Sequence, residues 1–287
     1  TGKTSVIAAL VHLAAQEFPL AIADADVDAS NLDLVLQPRR LEEHVFKSGL
    51  LVHINPETCI SCGACYDACR FDAIIPGEPY RVDEVACEGC NACSYRCPVD
   101  AITSSEPEVG RWFVSDTAYG PLYHAHLFAG ADNSGKLVTL VKQQARLRAL
   151  DDGRPLVLVD GPPGIGCSVI SAASGATLAL LVVEPTLSGV HDLERVLQLM
   201  THFNVPALVL INKADLSEVR TQEIEEFCRE RNVPVVGRIP YDTVVTEAMV
   251  QGVPITAYSE GTVTQALREV WQEIVKKLKM TNEEMKK

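Results

Sequence analysis

Apolar residues near the start of the chain recur at Val6, Ile7, Leu10, Val11 and Ala14. This is the i, i+3, i+4 spacing of a helix, and it predicts one over Lys3–Gln16. The next run, Leu20-Ala21-Ile22-Ala23, closes on Asp24 and reads as a short buried strand. Further apolar runs without alternation follow at Leu156–Val159, Leu178–Val183, Ala207–Ile211 and Pro234–Ile239, as expected of strands covered on both faces. Helical spacing fills the intervals at roughly 190–203, 217–231, 243–251 and 262–279. Strands alternating with helices predict an α/β chain with a doubly wound, mostly parallel sheet.

The stretch from about 37 to 120 breaks that rhythm and contains an internal repeat. Cys59-Ile-Ser-Cys62-Gly-Ala-Cys65-Tyr-Asp-Ala-Cys69 precedes Asp72-Ala73-Ile74, and Cys87-Glu-Gly-Cys90-Asn-Ala-Cys93-Ser-Tyr-Arg-Cys97 precedes Asp100-Ala101-Ile102, 28 residues later. Each copy spells C-x2-C-x2-C-x3-C, the run of two-cluster ferredoxins, in which the fourth cysteine ligates the other cluster. On that logic Cys59, Cys62, Cys65 and Cys97 hold one [4Fe–4S] cluster, and Cys87, Cys90, Cys93 and Cys69 hold a second. Pro98 follows the last ligand of the second copy, whereas Arg70 stands at the matching place in the first. Zinc bound by four cysteines is the competing reading, but zinc sites use two separated C-x2-C pairs. The expected division is an α/β domain over 1–36 and 121–287, an inserted α+β ferredoxin-type module over 53–104, and connectors at 37–52 and 105–120.

Composition narrows the classes. Of ten cysteines, eight lie between Cys59 and Cys97, and two such thiolate runs in a chain with apolar core strands read as metal ligands, not disulfides. A formal net charge of −13 argues against a general nucleic-acid binder. No run approaches the roughly 20 apolar residues of a membrane span, and a cytoplasmic protein is expected. The chain opens on Thr1 without Met, inside a motif, so a truncated start is expected.

Gly2-Lys3-Thr4, with Ser5 beside them, opens the first helix as the end of a phosphate-binding loop does. There backbone N–H groups and Lys meet phosphates, and the hydroxyl meets Mg²⁺. Asp24-Ala-Asp26 ends the next strand, where carboxylates can meet Mg²⁺ and water. Leu156-Val-Leu-Val-Asp160 is an apolar strand ending in Asp, as a Walker B element is. Ile211-Asn212-Lys213-Ala-Asp215 ends another strand and offers polar groups to a base.

Thr1–Thr4, Asp24–Leu32, Asp160-Gly-Pro-Pro-Gly-Ile-Gly166 and Asn212-Lys213 resemble the MinD/Mrp branch of deviant P-loop ATPases. With the cysteine module between the Asp-x-Asp and Asp-Gly-Pro-Pro-Gly strands, Thr1 to about Lys277 is similar to MinD-superfamily ATPases with an inserted ferredoxin domain, sometimes called cobyrinic acid a,c-diamide synthase-like. The resemblance implies a P-loop NTPase fold of SIMIBI type, here without its first strand, and Mg-ATP as ligand. It implies Lys3 on the phosphates, Thr4 on Mg²⁺, Asp26 orienting the attacking water, Asp160 near the metal and Asp24 supporting. Asn212, with Lys213, would contact adenine, and Pro240-Tyr241-Asp242 would form a second base-contacting loop. It also implies a homodimer across the nucleotide site, closed by a lysine that would lie upstream of Thr1.

The leading expectation is an ATPase whose nucleotide state is coupled to electron transfer, or to another cluster-dependent action on a redox or acceptor protein. The alternatives are an iron–sulfur carrier of Mrp type and a MinD-like positioning ATPase with structural clusters. The carrier would use a late C-x2-C pair, and none follows Cys97. The tail Val275–Lys287 lacks the bulky apolar face of a membrane-binding helix and reads as a solvated helix end. Cys228 reads as a buried thiol, and Cys167 as a thiol near the phosphate-facing loop. His44, His53, His124 and His126 are expected as ordinary surface or core residues, since the His124-Ala-His126 pair chelates only if its segment is extended.

Overall fold

The computed structural model describes residues 1–284. Helix α1 (Lys3–Ala15) leads to strand β1 (Leu20–Asp24), helix α2 (Leu32–Leu36) and strands β2 (Arg39–Lys47) and β3 (Leu51–Ile54). The cysteine-rich stretch adds α3 (Ala64–Ala68), β4 (Ile74–Ile75), β5 (Arg81–Val82), α4 (Ala92–Arg96) and β6 (Ile102–Ser105). The chain returns through β7 (Glu108–Thr117), β8 (Gly120–Leu127), α5 (Ser134–Asp151), β9 (Leu156–Asp160) and α6 (Cys167–Ala173). It finishes with β10 (Ala179–Val183), α7 (Leu187–His202), β11 (Ala207–Asn212), α8 (Glu218–Glu230), β12 (Val235–Ile239), α9 (Val244–Val250), α10 (Ile255–Tyr258) and α11 (Thr262–Glu284). The strands and helices read from the apolar runs are all present within a few residues. The end of the tail, residues 285–287, lies outside the described residues. Among the described residues no helix is long and apolar enough to cross a membrane.

The chain divides into two compact units. One comprises Thr1–His44, Arg111–Leu127 and Ser134 onward; the other comprises Val45–Gly110 and Phe128–Asn133. In the larger unit β1 pairs in parallel with β8 and β9, in the sheet order β2-β7-β8-β1-β9. Strands β10-β11-β12 form a second, parallel sheet. Most of the strand pairings in the two sheets are parallel. Its main core joins α1, β1 and α2 to α9, α10 and α11, with Trp271 wholly packed and its indole N–H donating to Glu17 at 2.7 Å. Apolar side chains of β10, β11, α7 and α8 make a second cluster that includes Cys228.

The stretches expected as connectors hold β2 and β7. Strand β2 forms the sheet edge and carries Arg39, Arg40, Glu42, Glu43 and His44. That charge density hid it from an apolar pattern and guards the edge against further pairing. It is bound to β7 by ion pairs between Arg111 and Glu43 and between Arg39 and Asp116.

In the smaller unit β3 pairs antiparallel with β6, from Leu51↔Ser105 to Ile54↔Ile102, and β4 pairs with β5. Val52, Ile74 and Ile102 form its core together with Cys65 and Cys93. The repeated Ala-Ile, at 73–74 and 101–102, is buried in both copies, which gives the recurrence a packing reason.

Candidate functional site

The larger unit gathers its candidate residues at the N-terminus of α1 and the C-terminal ends of β1, β9 and β11. Gly2 caps α1 in the left-handed region at φ 74°, a conformation that suits glycine. Asp24 and Asp160 are register partners at the ends of β1 and β9, and both are buried. Asp24 Oδ2 accepts from Ser30 Oγ at 2.8 Å and from the Leu32 N–H at 3.2 Å, while its Oδ1 accepts from the Asp26 N–H at 3.1 Å. The Thr4 hydroxyl donates to the Asp160 carboxylate, whose Oδ2 is buried without a partner.

Charge confirms that these groups share one space. Burial pushes Asp160 up to about 7, with Asp24 adding to the rise and the Lys3 ammonium opposing it. Burial pushes Asp24 up to about 6. Asp26 is also raised by burial, against the pull of Lys3. Such crowding of carboxylates around an unpartnered buried oxygen suits a bound cation, and Mg²⁺ takes one or two carboxylates beside substrate phosphates. Thr4, Asp24, Asp26 and Asp160 are therefore the residues that fit Mg²⁺ with a nucleotide.

At the end of β11 Asn212 donates through Nδ2 to the Thr1 carbonyl at 2.9 Å and so ties β11 to the segment before α1. Lys213, at φ 53°, pairs with Glu184 at 2.6 Å. Asp215 Oδ1 accepts from the Tyr241 N–H at 2.7 Å, which holds the loop beginning at Pro240 against this turn. Ser5 turns elsewhere, with its hydroxyl 3.1 Å from Met249 Sδ. Ser30, Glu184 and the Asp215–Tyr241 link were not among the residues singled out from sequence. A carboxylate following the β10 run was the only signal for Glu184.

The smaller unit separates the eight cysteines into two pockets. Cys59, Cys62 and Cys65 line one together with Cys97; Cys87, Cys90 and Cys93 line the other together with Cys69. The crossed sets follow from the pairing of the two half-repeats. Left-handed backbone recurs at equivalent places, Ser61 and Gly63 in the first copy and Gly89 and Asn91 in the second. Such turns shape N–H concavities that receive anions and clusters. The Tyr66 and Ser94 N–H groups donate to the sulfurs of Cys65 and Cys93, and the Ala101 N–H donates to Cys97 Sγ at 3.2 Å. All eight thiols are free. Burial raises Cys65 and Cys93, and neighbouring cysteines raise them further. Four sulfurs around a cavity with N–H···S donors is a donor set that fits iron–sulfur ligation.

Of the remaining residues, Cys228 is wholly buried and burial pushes its thiol up to about 11, while Cys167 lies exposed at the start of α6. His44 stacks on Trp112 with ring centroids 4.0 Å apart, and His53 bonds Ser105 at 2.7 Å.

Residues 52–104 match the 4Fe-4S dicluster domain family. An uncharacterized protein of Methanocaldococcus jannaschii is 32% identical over 277 residues, covering 95% of this chain and 92% of its own length. The septum site-determining protein MinD of Bacillus subtilis is 26% identical over 168 residues, 56% of this chain and 62% of that protein. Among solved structures, MinD of Pyrococcus horikoshii complexed with Mg-ADP aligns over 98% of this chain and 93% of its own, with a TM-score of 0.59 at 20% identity. The chain belongs to one family with that M. jannaschii protein and has the fold of the MinD structures. It carries an inserted 4Fe-4S dicluster domain, which the alignment with the M. jannaschii relative spans. The chain thus keeps its candidate nucleotide residues in one unit and the eight clustered cysteines in the other.

Proposed function

We propose that the protein hydrolyses Mg-ATP and couples its nucleotide state to electron transfer, through two [4Fe–4S] clusters, to a partner protein. Lys3 binds the phosphates, Thr4 holds Mg²⁺ with Asp160 beside it, Asp26 orients the attacking water, and Asp24 positions the loop that carries Asp26. Asn212, Lys213 and the loop at Pro240 take the base. Cys59, Cys62, Cys65 and Cys97 hold one cluster, and Cys87, Cys90, Cys93 and Cys69 hold the other. Bound there, the clusters supply one-electron chemistry. The working form is a cytoplasmic homodimer closed across the nucleotide.

The observation that carries this reading is chain order. The Asp24–Asn31 loop, whose Asp24 accepts from Ser30 and Leu32, continues through α2 into β2 and on to the cysteine unit. γ-Phosphate and Mg²⁺ contacts order such loops and are lost on hydrolysis, a recurring way for nucleotide state to act at a distance. Complete sets of four thiols favour resident clusters over a cluster handed on as cargo.

The test is EPR-monitored redox titration of the full-length protein, purified anaerobically, with and without MgATP. Potentials or line shapes that move with MgATP and not with MgADP are expected. Two clusters indifferent to nucleotide overturn the coupling and leave an assembly or regulatory ATPase. Zinc in place of iron overturns the redox reading.

A further inference from the structure

We propose that Asp33, His124 and His126 form a mononuclear site for a divalent first-row transition-metal ion, built from residues other than those assigned to the clusters and to the nucleotide. Strand β8 is extended from Gly120 to Leu127, so His124 and His126, two residues apart, face the same side. Asp33, the second residue of α2, meets them there. One ligand atom from each of the three lies within 4.8 Å of the others.

Two of these groups are otherwise unexplained. His124 is 2% exposed and its Nδ1 is buried with no hydrogen-bond partner; Asp33 Oδ1 is likewise buried and unpartnered. A buried acceptor left unsatisfied is destabilising. A shared cation satisfies both. The opposite ring atom of His124, Nε2, lies 3.0 Å from the wholly buried Ser115 hydroxyl. With Nε2–H donated to Ser115, Nδ1 presents its lone pair to the ion, the outer-shell arrangement that orients metal-bound histidines. The Phe113 ring packs against both imidazoles, at 5.0 and 5.7 Å between centroids, and walls the site on an apolar side. Arg40 covers Phe113 at 4.1 Å and is engaged by Glu43 at 3.1 Å, which offsets its charge.

Two imidazoles and one carboxylate are a borderline nitrogen–oxygen set. It selects Zn²⁺ and its first-row neighbours over Mg²⁺ and Ca²⁺, and leaves a position open to water or a further ligand. The ion would pin α2, which follows the Asp24 loop, to β8.

The test loads chelator-washed, anaerobic holoprotein, its cysteines occupied by iron–sulfur clusters, with Zn²⁺ alone. Zinc is then measured after gel filtration and its ligands are read by zinc-edge X-ray absorption. A single retained zinc with nitrogen and oxygen neighbours at about 2.0–2.1 Å is expected. Asp33→Asn and His126→Ala should each weaken retention at least tenfold, and Ser115→Ala about tenfold or more through His124. These variants spare the wholly buried His124 ring, so an unfolded His124→Ala would not decide the matter. Failure to retain zinc, sulfur neighbours at about 2.3 Å, or retention unchanged by Asp33→Asn and His126→Ala would overturn the site.

Discussion

At the residue scale the pair Asp24 and Asp160 sets a measurable sign. In the metal-free chain burial holds Asp160 at about 7 and Asp24 at about 6, above the ordinary 3.8 of an aspartate. The folded chain therefore keeps protons that the unfolded chain releases, and folding stability from these groups falls as pH rises from about 4 to 7. Each unit of raised pKa costs about 1.4 kcal/mol once the group must ionise. Asp160→Asn removes one ionisation while keeping an acceptor for Thr4. In urea titrations with EDTA, the variant should gain stability over wild type progressively from pH 5 to pH 8. A difference independent of pH would show that Asp160 is not held protonated by burial. Both aspartates were legible as strand-end residues, because an apolar run that closes on a carboxylate is a sequence pattern. Contacts made across the chain were not: Ser30 reaches Asp24 through a loop, and Glu184 reaches Lys213 from another strand end.

At the element scale the two cysteine loops are a controlled comparison. Residues 61 and 89 are repeat equivalents, and both adopt left-handed backbone, φ 54° at Ser61 and 63° at Gly89. Serine tolerates the conformation in the first copy. Glycine is needed in the second because a Cβ there would run into the Leu50 carbonyl oxygen. Gly89→Ala adds that clash to the about 1–2 kcal/mol of left-handed strain. Iron analysis after anaerobic reconstitution should show loss of the cluster held by Cys87, Cys90, Cys93 and Cys69, with ATP hydrolysis retained. Ser61→Ala, whose site already accepts a side chain, should keep its full iron complement. A Gly89→Ala protein with full iron would show that Leu50 yields without cost. Cysteine spacing made the loops legible; the backbone that approaches Gly89 from the residue before β3 was not, since no local pattern reports a distant carbonyl. Helix α5 escaped for a different reason. Its buried stripe runs through Leu137, Val138, Val141, Ala145 and Ala149, and the small Ala side chains dilute the apolar signal.

At the scale of the whole molecule the question is how far nucleotide contacts travel along the chain. Helix α2 is held at both ends: the Leu32 N–H donates to Asp24, and the Gln37 side chain donates to the carbonyls of Gln251 and Gly252 at 3.0 and 2.9 Å. A segment only five residues long and fixed at each end moves as one piece or stops motion at its far clamp. Strand β2 begins just beyond that clamp and runs into the cysteine unit. Hydrogen exchange separates the two outcomes, because local opening is reported segment by segment. MgATP should slow exchange in residues 24–36, where the Asp24 loop gains order. If the coupling proposed above follows the chain, protection should continue past Gln37 into Arg39–Lys47, and should be smaller with MgADP. The buried strand β11 serves as the internal reference, since Leu208, Val209, Leu210 and Ile211 are closed to solvent in any nucleotide state compatible with the fold. Protection that ends at Gln37 would locate the clamp as a stop and rule out β2 as the route. Gln37→Ala would then be expected to extend protection into β2 by releasing the carbonyls of Gln251 and Gly252.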